Sequence, residues 1–248
     1  MLVIALCLLL LASCVPASTI PIGTVNFQRA DSAQQGTLVV FLPGRGSEAR
    51  SFAAEGLVGA LRRKSPGVDM VGVEAHLGYY IDRTLPKRLK EDVIEPARKL
   101  GYREIWLVGI SMGGLGAILY DTAYPGDVTG LCLLAPYLGE GSLLEEISRA
   151  GGLARWQPGA GKGDQEREIW LRLRAYAAAE KSAGRVYLGF GNSDRFAATN
   201  RFFGDLLPGG QMMTASGGHD WPTWRTLWDL TLERAPLGAS GPRAEVAR

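Results

Sequence analysis

The sequence has few cysteines and histidines and little net charge, whereas many such residues or a large net charge are typical of metal-binding, redox and nucleic-acid-binding proteins. It contains three cysteines and two histidines among 248 residues, and its formal net charge is only +2. The cysteines are scattered, without the spacing of a zinc site or a redox pair. The small charge gives no electrostatic bias toward nucleic acid. We therefore expect no metal site, no organic cofactor and no nucleic-acid partner.

No internal repeat or low-complexity block divides the chain either. Hydrophobic residues make up 46% of it, which is enough for one large core, and α/β domains of ~200–250 residues commonly form a single unit. Apolar runs typical of buried strands alternate with helical patterns. The alternation predicts an α/β fold with a mostly parallel central sheet and helices on both faces. The predicted strands are at 37–42, 68–73, 104–108, 128–134, 185–191 and 211–214.

This pattern also predicts the organisation of the chain. We expect a signal peptide at 1–13, a tether with an edge strand near 24–29 within 14–36, the main domain at 37–234 and a flexible tail at 235–248. No strand pattern occurs at about 137–184, and this interruption of the strand–helix alternation predicts a helical insertion. Because this insertion leaves from the carboxyl edge of the sheet, it is interpreted as a lid, with a scaffold excursion as the alternative.

The first residues are typical of an exported protein. Residues 2–11 form an apolar run that is shorter than the ~20 residues of a membrane-spanning helix. The following Leu11-Ala12-Ser13-Cys14 resembles the bacterial lipobox, although the start of the chain has no lysine or arginine. This resemblance implies lipidation of Cys14 and attachment to the membrane of the cell envelope. A soluble periplasmic or secreted form and an uncleaved anchor are the alternatives.

The segment on which the functional interpretation depends is Gly-Ile-Ser-Met-Gly at 109–113, between a predicted buried strand and a predicted helix. A serine on a sharp strand-to-helix turn needs small neighbours two residues away, which Gly109 and Gly113 provide. Ser111 is therefore a candidate nucleophile. The backbone N–H of Met112, at the start of the helix, is a candidate donor to an oxyanion.

A glycine-rich loop, Pro43-Gly44-Arg45-Gly46, follows the strand at 37–42. The carboxyl ends of parallel strands form the edge where such sheets bind ligands. The backbone N–H of Arg45 is therefore a candidate for a second oxyanion donor. An ordinary turn that needs glycine is the alternative.

Two further residues come directly after predicted strands and complete a possible triad. Asp194 follows the strand at 185–191, and His219 follows the strand at 211–214. His219 is preferred to His76 as the general base because it follows the acid along the chain. Asp220 is the rival acid, but a residue adjacent to the histidine cannot easily reach Nδ1 of its ring.

Ser111, Asp194 and His219, in this order and each after a strand, resemble the α/β-hydrolase family over residues 37–232. Pro43 stands where many members carry histidine. The resemblance implies a serine hydrolase that cleaves small carboxylic esters through an acyl-enzyme, with Ser111 as nucleophile, His219 as base and Asp194 as its carboxylate. An acyltransferase, thioesterase or peptidase with the same triad, or a non-catalytic binding module, are the alternatives.

Overall fold

A computed structural model describes residues 16–27, 36–139, 141–159, 165–178, 185–207 and 210–238. Within them, seven strands form one sheet in the order β1-β3-β2-β4-β5-β6-β7. Only β1 runs antiparallel to its neighbour, so the predicted mostly parallel α/β sheet is confirmed. The strands are β1 Thr24–Phe27, β2 Thr37–Leu42, β3 Asp69–Val73, β4 Glu104–Ile110, β5 Gly130–Leu134, β6 Val186–Gly191 and β7 Met212–Ala215.

Helices flank this sheet and connect its strands. None of those in the described ranges combines the length and the apolar character that a membrane-crossing helix needs. The helices are α1 Ser51–Ala54, α2 Leu57–Lys64, α3 Leu77–Ile81, α4 Leu85–Leu89, α5 Glu95–Lys99, α6 Met112–Ala123, α7 Leu144–Arg149, α8 Gln165–Ala178, α9 Ala197–Gly204 and α10 Trp221–Arg234, with a π-helical segment Lys90–Ile94 between α4 and α5.

The central strands are covered on both faces. Every residue of β2, β5 and β6 is buried, although successive side chains of a strand point to opposite faces. Cys132 lies in β5 at 0% exposure, and burial raises the pKa of its thiol, as expected of a structural cysteine. The apolar runs of the sequence therefore correspond to strands in the interior of the sheet.

The described residues at both ends of the domain contact the rest of it. Residues 16–23 precede β1 and were expected to belong to a tether, but Ile22 is buried and its N–H donates to Asp92 at 2.9 Å. At the other end, Leu237 is 4% exposed and its carbonyl accepts from Ser65 at 2.7 Å. Residues 1–15 and 239–248, with Cys14 and most of the predicted tail, lie outside the described residues.

The insertion between β5 and β6 contributes α7 and α8. Trp156 and Trp170 of the insertion are 1% and 0% exposed. Trp156 donates from Nε1 to Glu146 at 2.8 Å, and Trp170 packs edge to face on Phe202. Trp156 thus joins two parts of the insertion, and Trp170 packs the insertion against α9.

Candidate active site

Ser111 sits at the sharp turn between β4 and α6. Its backbone has φ 53° and ψ −116°, a conformation that side chains rarely adopt. A Cβ on Gly109 would lie 2.3 Å from the carbonyl oxygen of Gly113, and a Cβ on Gly113 would lie 2.0 Å from that of Leu42. Both glycines are therefore required by close backbone contacts. The turn holds the serine at the carboxyl edge of the sheet.

The three residues of the predicted triad meet at this edge. The hydroxyl oxygen of Ser111 is 2.9 Å from Nε2 of His219, and Nδ1 of the same ring is 2.8 Å from Oδ2 of Asp194. Ser111 is 8% exposed, and the side chains of Asp194 and His219 are 0% and 12% exposed. A hydroxyl, an imidazole and a carboxylate thus form one continuous hydrogen-bonded chain that is largely shielded from water.

The carboxylate and the imidazole are both fixed by further contacts. Oδ1 of Asp194 accepts the backbone N–H of Phe196 at 2.8 Å. The rings of Phe196 and Trp224 meet the His219 ring edge to face, at centroid distances of 5.2 and 5.1 Å. These contacts leave the imidazole little freedom to turn away from the serine.

Two backbone N–H groups beside the serine are available to a ligand. Among the described residues, the N–H groups of Met112 and Arg45 have no hydrogen-bond partner. Met112 is the first residue of α6, where helical N–H groups lack intrahelical partners. Arg45 follows Gly44, whose backbone packs so closely that a Cβ there would be 3.3 Å from Cβ of Ser111.

Asp220, the rival acid, has a structural role instead. Its carboxylate caps α10 by accepting the backbone N–H of Thr223 at 3.0 Å and the hydroxyl of Thr223 at 2.6 Å. These hydrogen bonds hold the pKa of the Asp220 carboxyl below its ordinary value. The cap fixes the start of α10 directly after His219.

Replacing Asp220 by alanine is expected to lower the free energy of unfolding by about 1 kcal/mol at pH 7, because the first turn of α10 loses its cap. A carboxyl whose pKa is lower in the folded state stabilises the fold above its unfolded pKa, and this contribution is lost as the pH falls. The difference between parent and variant should therefore shrink below about pH 4. Urea unfolding at pH 7 and pH 3.5 measures it; no loss of stability at pH 7 would contradict the capping role, and an equal loss at both pH values would contradict the contribution of the charge.

His76, the other histidine, also has a structural role, and its contacts are with residues two and three positions along the chain. Its Nδ1 accepts the backbone N–H of Gly78 at 3.2 Å and so caps α3, and its ring packs on Tyr79 at 4.5 Å. None of these contacts involves the triad. Nor does any group of three or more potential metal ligands occur in the parts of the chain that the structure describes.

A groove of about 220 Å³ lies between α6, the α3–α4 corner and α8. We call it the α6–α8 groove. Leu115 and Leu119 line it at helical spacing on α6, and Ile169 lines it from the insertion. Its charged lining residues are two of each sign and so carry no net charge: Arg83, Glu166, Glu168 and Arg172.

Two tyrosines that line this groove donate hydrogen bonds to the backbone of the turn at Ser111. Tyr80 lines the groove and donates its hydroxyl to the carbonyl of Met112 at 2.9 Å, and burial raises the pKa of that hydroxyl so that it stays a donor. Tyr137 also lines it, and its N–H donates to the carbonyl of Ser111 at 2.9 Å. The ring of Tyr137 packs on Phe196 beside His219. The sequence pattern singled out neither Tyr137 nor Phe196, since nothing local marks these contacts.

Comparison with known proteins agrees with this geometry. The profile of the family named Esterase, described as "Putative esterase", matches residues 27–230. No curated protein matches the chain.

Solved structures resemble the chain in fold at low sequence identity. S-formylglutathione hydrolase (FrmB) from Staphylococcus aureus is 12% identical with a TM-score of 0.58, over 89% of this chain and 98% of that one. Est1E from Butyrivibrio proteoclasticus is 17% identical with a TM-score of 0.54, over 89% and 97%. MPT51 from Mycobacterium tuberculosis is 14% identical with a TM-score of 0.57, over 88% and 94%.

Proposed function

Because this chain belongs to the Esterase family and is a serine hydrolase with the α/β-hydrolase fold, we propose that it cleaves carboxylic esters through Ser111, His219 and Asp194. The observation that carries the proposal is the unbroken hydrogen-bonded chain from the serine hydroxyl through His219 to Asp194. Hydrolysis of p-nitrophenyl esters by the parent chain and by Ser111→Ala tests it.

In the proposed first step, the hydroxyl oxygen of Ser111 attacks the ester carbonyl carbon while Nε2 of His219 takes the hydroxyl proton. The negative charge that develops on the carbonyl oxygen is stabilised by the N–H groups of Met112 and Arg45. Asp194 accepts a hydrogen bond from Nδ1–H of His219 without taking the proton, which keeps Nε2 free to act as the base and stabilises the imidazolium.

The tetrahedral intermediate then collapses. The bond to the alcohol oxygen breaks, His219 gives its proton to the leaving alcohol, and the acyl group stays on Ser111 as an ester. Water enters in place of the alcohol, loses a proton to His219 and attacks the acyl-enzyme. The second collapse releases the carboxylic acid and returns the proton to Ser111.

We propose that the α6–α8 groove holds the acyl part of the ester. His219 and Asp194 follow β7 and β6, on one side of β4 in the sheet, whereas Tyr80 and the α3–α4 corner follow β3, on the other side. The leaving alcohol must reach His219, so the acyl group extends in the opposite direction. At ~30 Å³ per water-sized group, 220 Å³ accommodates about seven or eight carbon atoms.

The apolar walls and the balanced charges of this groove fit a neutral acyl chain of medium length. Replacing Leu119 by tryptophan is therefore expected to lower the kcat/KM for p-nitrophenyl octanoate relative to the acetate by about tenfold, because Leu119 lies about 10 Å along α6 from Met112. A series of p-nitrophenyl esters with two to twelve acyl carbons measures this ratio.

The matched control for this substitution is Leu100→Trp, at a leucine that is 60% exposed and outside the groove. Its octanoate-to-acetate ratio should equal that of the parent. A series of acetate esters with longer alcohols separates the two sides of the site. If Leu119→Trp changed the preference for the alcohol and left that for the acyl group intact, the groove would belong to the leaving group.

We further propose that the protein acts at the membrane of the bacterial cell envelope, attached through a lipid on Cys14. The support is the lipobox-like Leu11-Ala12-Ser13-Cys14 after the apolar run at 2–11. A membrane location suits an enzyme whose groove accepts neutral acyl chains, since esters of such acids partition into lipid.

A further inference from the structure

The first described residues pack on the helix that forms one wall of the α6–α8 groove. The backbone of Pro16 lies against α3 so closely that a Cβ on Gly78 would be 2.1 Å from the carbonyl oxygen of Pro16. The N–H of Thr19 donates to the hydroxyl of Tyr79 at 3.1 Å, and the hydroxyl of Ser18 donates to Asp82 at 2.5 Å. The path of the chain is therefore fixed from Pro16 onward.

Two exposed isoleucines lie on these two packed segments. Ile20 is 78% exposed and Ile81 is 59% exposed, and Leu100 is the only other exposed large hydrophobic residue in the described ranges. Ile81 is three residues after Gly78 and so shares the helix face on which Pro16 packs. We call Pro16, Ile20 and Ile81 the anchor face.

The chain outside the described residues leads directly from this face to apolar sequence. Cys14 is only two residues before Pro16 in the sequence. A lipid on Cys14 would enter a bilayer beside the anchor face. An uncleaved apolar segment at 2–11 would do the same, so the position of the membrane does not depend on which form of anchor is present.

The anchor face and the catalytic serine are on opposite sides of one short helix. Tyr80 of α3 points inward and bonds to the carbonyl of Met112, next to Ser111, whereas the following residue, Ile81, is exposed. The width of a helix with its side chains, about 10 Å, therefore separates the face from the nucleophile turn. Arg83, two residues after the end of the same helix, lines the groove.

We propose that the anchor face lies on the lipid bilayer, which places the mouth of the α6–α8 groove at the membrane surface, where it takes up acyl esters from the lipid phase. The orientation rests on the proposed attachment to the membrane, and the choice of substrate source rests on the proposed esterase function. Exposed isoleucines at a bilayer surface bury apolar area in the interface, which stabilises this orientation against rotation about the anchor.

Fluorescence quenching in vesicles tests the orientation without using activity. The full chain, purified from a bacterial membrane, is reconstituted in phosphatidylcholine vesicles with a nitroxide-labelled lipid. An environment-sensitive fluorophore is attached at Ile81→Cys or at Leu100→Cys, two positions of nearly equal exposure, 59% and 60%. Cys132 is fully buried, and the parent chain without an added cysteine gives the background labelling.

The label at position 81 should be quenched about twofold more strongly than the label at position 100, because interfacial groups lie only ~5–10 Å into the headgroup region. Equal quenching at the two positions, stronger quenching at position 100, or failure of the chain to bind the vesicles would overturn the proposal. Labelling of Ser111 by a fluorophosphonate in the same vesicles reports on the esterase site, so a failure of the proposed function is distinguishable.

An activity measurement tests the delivery of substrate. The double variant Ile20→Asp, Ile81→Asp should lower the rate on a medium-chain ester dissolved in vesicles relative to the rate on a water-soluble acetate ester by about tenfold, because two charges oppose contact with the bilayer. Leu100→Asp, the matched control, should keep the parent ratio. An unchanged ratio in the double variant would show that the substrate does not enter from the lipid.

Discussion

Replacing Ser111 by alanine is expected to lower the kcat for p-nitrophenyl esters by about four to six orders of magnitude, because no other group can form the acyl-enzyme. It should also abolish labelling by a fluorophosphonate probe, which forms a covalent bond with an activated serine oxygen. Steady-state kinetics and labelling of the purified variant measure the two effects.

The variant should fold like the parent. The N–H of Ser111 donates to the carbonyl of Leu134, and the carbonyl of Ser111 accepts the N–H of Tyr137. Both hydrogen bonds use backbone atoms that alanine retains. The turn is tight, since a Cβ added to Gly109 or Gly113 would lie less than 2.5 Å from a backbone oxygen. Alanine is smaller than serine and therefore fits at position 111. A loss of activity with an unchanged thermal midpoint therefore reports on chemistry and not on stability.

Ser193→Ala is the matched control, because Ser193 is exposed and immediately precedes Asp194 in the chain. Its activity should stay within about twofold of the parent, as expected of a surface substitution. Labelling of Ser111→Ala as strong as that of the parent would place the nucleophile elsewhere. Activity lost equally in both variants would indicate damage to the fold around the site.

The fold and the hydrogen-bonded chain could be predicted from the sequence because local patterns carry them. Buried parallel strands are continuous apolar runs, and a serine between Gly109 and Gly113 is recognisable without knowledge of what the glycines contact. The order Ser111, Asp194, His219 places each residue at the same edge, since each follows a parallel strand. The structure brings the three side chains within hydrogen-bonding distance.

The walls of the site could not be predicted in the same way, because contacts between distant segments make them. Tyr80 bonds to Met112, which is 32 residues away in the sequence. Phe196, just before α9, contacts His219, just before α10, and no periodicity in the sequence predicts this contact. The packing of residues 16–19 on α3 could not be predicted from the sequence either, since proline and threonine are common in loops and nothing marks Pro16 or Thr19 as a contact residue. Only Gly78, which leaves room for Pro16, is required at its position by this contact.

Replacing Asp194 by asparagine is expected to lower kcat by about 10³–10⁴-fold, although the two side chains have the same shape. In the parent, Oδ1 of Asp194 accepts the N–H of Phe196 at 2.8 Å and Oδ2 faces Nδ1 of His219. Asparagine has one oxygen and one NH₂ group. If the oxygen keeps its bond to Phe196, the NH₂ group faces Nδ1 and requires it to be an acceptor.

The proton of the neutral imidazole must then be on Nε2, pointing at the hydroxyl of Ser111, so the ring can no longer take the serine proton. The structure therefore predicts a loss of catalysis through the wrong tautomer, with the geometry retained. Steady-state kinetics across pH 5 to 9 measures it, with KM expected to change far less than kcat because the substitution does not touch the α6–α8 groove.

Asp220→Asn is the matched control, since it changes the neighbouring carboxylate in the same way and asparagine is also a good helix cap. Its kcat should remain within about twofold of the parent, because Asp220 bonds to Thr223 and not to the His219 ring. The opposite result, a severe loss in Asp220→Asn with Asp194→Asn nearly unaffected, would make Asp220 the carboxylate of the triad. Since both substitutions remove one negative charge beside His219, a difference between them measures the direct hydrogen bond to Nδ1 and not the general electrostatic field of the site.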